Sequence, residues 1–139
     1  MNLAELNGLR HLDEEILEIE EQIERLRTEA ERCSQILSDM PRTSGVSDKI
    51  GRIASDIADY TSLLVDTKAE RIKKSQEIHA FILEIPDEQT RRAFYLRFVQ
   101  CLRWEEVARR LGGGNSADGA RMRVVRYLNE MEEQQCEDR

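Results

Sequence analysis

Apolar residues in the first forty positions recur at alternating intervals of three and four: Leu9, Leu12, Ile16, Ile19, Ile23, Leu26, Ala30, Cys33, Leu37 and Met40. A heptad seam of this length, with Glu and Arg on the remaining positions, predicts a long helix packed against a partner helix. The pattern stops at PRTSG, residues 41–45, where Pro41 ends a helix and Ser44, Gly45 and Ser47 supply turn and capping chemistry. Val46, Ile50, Ile53, Ile57, Tyr60 and Leu64 then restart the same spacing. Beyond Leu64 the register slips, and the run reaches Pro86 either on Ala69, Ile72, His79 and Ile82 or on the neighbouring stripe of Ile78, Phe81 and Ile85.

Two helices of about 40 residues, each roughly 55 Å long at 1.5 Å rise per residue, joined by a short turn, predict an antiparallel coiled-coil hairpin over residues 1–85. Charge agrees with that folding. Closing the turn brings Lys68, Arg71, Lys73 and Lys74 alongside Asp13, Glu14, Glu15 and Glu18. Such pairs are weak singly but select one alignment over others. Apolar surface left on so thin a hairpin predicts a homo-oligomer, a dimer or higher.

From Pro86 the texture changes to three short helices. Proline with Asp87 and Glu88 suits a helix start, and Ala93, Phe94, Leu96, Phe98 and Val99 give that helix its apolar surface, with Arg91, Arg92 and Arg97 on its exposed side. A second helix spans about Arg103 to Leu111, with Trp104, Val107, Ala108 and Leu111 inward and Glu105, Glu106, Arg109 and Arg110 outward. The third starts with Asn115 or Ser116 as N-cap and runs to about Glu132. It turns Ala117, Ala120, Val124, Tyr127, Leu128 and Met131 inward. Ala108 lies four residues before Gly112, a spacing that lets two helices cross closely at a glycine turn, so residues 86–132 read as a helix-turn-helix module. Gly112 is the expected helix stop; Gly113 and Gly114 are additional.

If the third helix reads DNA, Arg121, Arg123 and Arg126 reach phosphates or guanine edges, while Ser116, Asp118, Gly119 and Met122 approach the bases. The local charge fits. Residues 1–40 hold eleven acids against four bases, residues 41–85 seven of each, residues 86–128 five acids against nine bases, and residues 129–139 five acids against one base, with 133–139 read as an acidic tail beyond the module. The segment 86–128 is the only one whose charge attracts a nucleic acid.

The rest of the composition narrows the class. With 5% aromatic and 35% charged residues the chain is all-α. The absence of a long apolar run or signal-like N-terminus predicts a soluble, cytoplasmic protein without membrane contact. Cys33, Cys101 and Cys136 form no CxxC pair, and His11 and His79, although brought near each other with Glu15 one turn away, lack a fixed third ligand; no metal and no cofactor are expected. No nucleophile, base and acid cluster, and GGGN lacks the strand and lysine of a phosphate loop, so the chain is not expected to be an enzyme.

The run IPDEQTRRAFYLRFVQCLRWEEVARRLGG resembles region four of sigma factors, and more closely the small phage and prophage proteins of the ArpU and RinA-like late transcription regulator group. Those relatives carry a segment similar to VSDKIGRIASDI, residues 46–57, so the resemblance spans about residues 40–131, with WEEVA, Trp104 to Ala108, its most specific part. The resemblance implies a phage-encoded, sequence-specific regulator of late genes that binds double-stranded DNA in a bacterial host cell and acts through host RNA polymerase. This chain departs from the sigma pattern in a turn about two residues longer at GGGN and in Ala120, where a β-branched residue is usual. Two other readings fit the same elements. One is a small-terminase-like component that holds packaging DNA; the other is an adaptor or inhibitor that binds a host or defence protein through the acidic hairpin.

Overall fold

The computed structural model describes residues 1–39 and 44–139, and side chains outside 37–46. The described residues are all-α, with no strand. The elements are α1 (Leu3–Leu6), α2 (Gly8–Asp39), α3 (Ser44–Leu83), α4 (Glu88–Phe94), a π-helical turn (Tyr95–Val99), α5 (Trp104–Leu111) and α6 (Ala117–Glu137). The expected stop at Pro41 and the seam positions Leu37, Met40 and Val46 lie outside the described residues or side chains.

The chain divides into two compact units, one made of residues 12–71 and the other of residues 1–11 with 72–139. The boundary of this division runs through the long helices. In the first of these, α2 and α3 are antiparallel, as their ion pairs show: Lys49 with Glu29 at 3.0 Å, Lys68 with Glu20 at 3.4 Å, and Arg71 with Asp13. Of these three, Arg71–Asp13 joins two residues of the expected set, and Lys68 meets Glu20, further along α2. Ile23, Cys33 and Ile53 are buried on the seam, while Ile16, Ile19, Leu26, Ile50, Ile57 and Leu64 are half-buried.

The register of α3 does not slip. Its inward stripe continues from Leu64 through Thr67 and Arg71 to Lys74, Ile78, Phe81 and Ile85, keeping the alternation of three and four. Ala69, Ile72 and His79 are exposed, so that expected stripe is overturned; Ile78, Phe81 and Ile85 carry the packing, and Ile82 is buried beside them. Polar residues hold the seam in between. The buried Thr67 hydroxyl donates back to the Leu63 carbonyl at 2.8 Å, which satisfies it without a partner from the other helix.

The other unit has one continuous core built from all its elements. Phe94 is fully buried at its centre, tilted against Phe98 and Phe81 and edge-on to Tyr127. Ile78, Ile82 and Ile85 of the α3 end, Val107, Ala108 and Leu111 of α5, and Ala120, Val124 and Leu128 of α6 close around it. Leu6 and Leu9, from the opposite end of the chain, are also fully buried in this cluster. Burying each contributes about 1.5–3 kcal/mol. α1 is held by a capping box, the Asn2 side chain accepting from the Glu5 N–H and the Glu5 carboxylate from the Asn2 N–H.

Three expectations about the later helices change. Asp87 is the N-cap of α4 and not a first-turn residue. α4 widens into the π turn, where the Gln100 N–H reaches the Tyr95 carbonyl at 3.1 Å, and the chain then leaves through Cys101 at φ 55°. α6 does not end near Glu132 but continues to Glu137, so most of the acidic tail is helix.

Candidate nucleic-acid interface

The turn between α5 and α6 is built from positive-φ glycines. Gly112, Gly113 and Gly114 stand at φ 69°, 65° and 76°, a region in which a Cβ meets backbone repulsion. Gly113 and Gly114 are therefore required by the path of the chain. The path is tied back by Asn115, whose N–H and side-chain amide both donate to the Gly112 carbonyl, at 3.3 and 2.7 Å. Ser116 then caps α6, its hydroxyl accepting from the Gly119 N–H at 3.0 Å. A Cβ on Gly119 would lie 3.1 Å from that hydroxyl, so glycine keeps the cap uncrowded.

The inner face of α6 is the expected one. Ala120, Val124 and Leu128 are buried and Ala117, Tyr127 and Met131 half-buried. Asp118, Gly119, Arg121 and Arg126 are exposed, with Met122 half-buried among them. Charge is distributed unevenly along the helix. Ala117–Arg126 holds Arg121, Arg123 and Arg126 against Asp118, whereas the remainder to Glu137 holds Glu130, Glu132, Glu133 and Glu137 and no base.

The arginines of this unit differ in what they do. Arg123, expected to face outward, is half-buried and points toward the start of α4, its Nη1 donating to Asp87 Oδ2 at 3.2 Å. The same oxygen accepts the Thr90 N–H at 3.0 Å and the Thr90 hydroxyl at 2.5 Å. These bonds from Thr90, and then the charge of Arg123, hold the Asp87 carboxyl below its ordinary range. Arg97, also expected on an exposed side, is half-buried: it donates to the Leu102 carbonyl at 2.8 Å and lies 4.8 Å over the Trp104 ring. Burial, and then the positive charge of Arg10, push its guanidinium down from its ordinary value. Arg91 donates to the Ile85 carbonyl and Arg92 to that of Arg110, so these two tie α4 to its neighbours. Arg109 and Arg110 share Glu106, whose carboxyl their hydrogen bonds pull down.

Arg121 and Arg126 remain on the basic half of α6 as exposed cations that pair with no carboxylate among the described residues. They border different hollows. Arg126 lines a groove of about 420 Å³ with Pro86, Asp87, Arg123 and Tyr127, and Arg121 a cavity of about 110 Å³ with Leu3, Asn7, Arg97 and Trp104. The first helix of the chain thus forms a wall beside the candidate recognition helix. Sequence reading missed this wall, although the Asn2-x-x-Glu5 capping signature and the Leu3, Leu6, Leu9 spacing announce a short helix there.

Over the whole unit, 13 acidic side chains balance 13 basic ones, while residues 12–71 carry 15 against 8. The basic character seen in residues 86–128 is therefore local to part of the unit's surface. Among the described residues no group of three or more metal-ligating side chains gathers; His79 is engaged by the Ser75 carbonyl at 3.1 Å and the edge of Tyr95. No helix among them is long and apolar enough to cross a membrane.

No protein-family model matches the chain, and neither a curated protein nor a solved structure matches it.

Proposed function

We propose that the chain is a regulator that binds double-stranded DNA by laying the basic, N-terminal half of α6 in the major groove. The observation that carries this reading is the charge polarity of α6 behind a capped, three-glycine turn. In such docking the start of the second helix approaches the bases and its end points away. Here Arg121, Arg123 and Arg126 lie on the approaching half, and the four glutamates lie on the receding half, where they do not oppose phosphate. Ser116, Asp118, Gly119 and Met122 are the remaining candidate contacts. The family resemblance adds the finer proposal of a phage late-gene activator working with host RNA polymerase in the bacterial cytoplasm. Exposed Leu17, Ile36, Leu63 and Val65 on residues 12–71 favour homo-oligomerisation through the hairpin.

The test is selection from a random-sequence duplex pool at two salt concentrations, with the full chain and with Arg121→Ala/Arg126→Ala. Enrichment of one motif, affinity that falls steeply with salt, and a salt slope lowered by about 2 in the double variant are expected. If no motif is enriched and the variant behaves like the parent, the reading fails. The adaptor reading then stands in its place, favoured by the excess of acids confined to residues 12–71 and by the neutral balance of the other unit.

A further inference from the structure

Asp87 lies outside the turn and outside α6, and its carboxylate does two things with one oxygen. Oδ2 caps α4 through both Thr90 donors and also holds Arg123 Nη1. Thr90 is buried, so the carboxylate is fixed to the core of the unit, while Asp87 and Arg123 remain 56% and 37% exposed. An ion pair this exposed contributes little to stability. Its effect is on freedom: a long side chain that otherwise samples many rotamers is held along the edge of α6. The bond to Asp87 occupies one guanidinium nitrogen of Arg123, and a guanidinium has five N–H donors in a fixed fork. The groove in which the pair lies also contains Arg126 and Gly119, both on the outward side of α6.

We infer that Asp87 is a positioning residue for DNA recognition: it pre-orients Arg123 so that the free side of the guanidinium meets a backbone phosphate when α6 docks. This rests on the DNA-binding reading above. Holding one flexible side chain in its bound arrangement is worth about two- to tenfold in affinity.

Asp87→Ser separates the two tasks, because serine is as good an N-cap as aspartate but carries no charge to grip Arg123. Affinity of the full chain for its selected duplex would be measured for wild type, Asp87→Ser, Arg123→Ala and the double variant, with thermal unfolding alongside. A loss of about two- to tenfold in Asp87→Ser, a double variant no weaker than Arg123→Ala alone, and an unchanged melting temperature in Asp87→Ser support the inference. A salt slope that drops by about 1 in Arg123→Ala but not in Asp87→Ser separates the phosphate contact from its support. Unchanged or tighter binding by Asp87→Ser, or losses that simply add in the double variant, overturn it while leaving DNA binding intact. A wild-type chain that selects no duplex overturns the DNA reading and this inference together.

Discussion

The three glycines of the turn show how much a single backbone angle can decide. At Gly113 and Gly114 nothing lies within 4 Å of where a Cβ would stand, so an alanine there meets no neighbour and its whole cost is the left-handed φ. Gly113→Ala and Gly114→Ala are each expected to destabilise the chain by about 1–2 kcal/mol in urea unfolding, although both sites are open to solvent. An effect near zero would mean that the turn relaxes to another path. Asp87 carries a second prediction at this scale. Its folded pKa is lowered, so its stabilising contribution is complete above the ordinary aspartate value and is lost as pH falls through the lower folded value. Glu5 and Glu106, lowered by the Asn2 backbone bond and by Arg109 and Arg110, lose theirs in the same acid direction. Thermal unfolding followed from neutral pH into the acid range should show a decline that is shallower in Asp87→Ser.

Among the elements, α1 is the shortest and has the largest consequence for its length. Four residues of helix could not persist alone; it persists because Leu6 is fully buried in the core that also holds α5 and α6. Leu6→Ala is therefore expected to cost about 2–5 kcal/mol, in the range of a central core leucine, and not the small effect of a residue near a chain terminus. Because Leu3 and Asn7 stand beside Arg121, the same substitution should also weaken duplex binding, which a binding titration of the variant below its melting temperature would reveal. α4 shows a different dependence on context. Its π turn and the left-handed Cys101 let one short stretch present Ala93, Phe94, Leu96 and Phe98 to the core, an arrangement that a regular helix of the same sequence would not produce.

At the scale of the whole molecule the two units differ in how much they bury. The unit holding α4 to α6 has a cluster of fully and nearly buried apolar residues, whereas residues 12–71 bury Ile23, Cys33 and Ile53 among the described side chains. Local stability follows buried apolar contact. In native-state hydrogen exchange, amides of α5 and of Ala120–Leu128 should therefore be the most protected, and those of α2 and α3 within residues 12–71 should exchange by lower-energy openings. Equal protection throughout would indicate that the hairpin is stabilised by a further partner, such as a second copy of the chain.

Hydrophobic periodicity by itself determined the two long helices, the presence of α4, α5 and α6, the inner face of α6 and most of the α2–α3 seam, because which side of a helix is buried is written in the spacing of its apolar residues. Local chemistry likewise narrowed the α6 cap to Asn115 or Ser116 and marked the glycine stop, since both act within a few residues; the structure chooses Ser116. The seam through Thr67, Arg71 and Lys74 was hidden because polar residues in core-facing positions leave no hydrophobic mark, and the sequence therefore read as a slip. Only the tertiary structure decided that Leu6 and Leu9 complete the C-terminal core, and that Arg123, 36 residues from Asp87, is held by it. Those are contacts between distant parts of the chain, made possible by the way the long helices return on themselves, and no local pattern encodes the distance that they close.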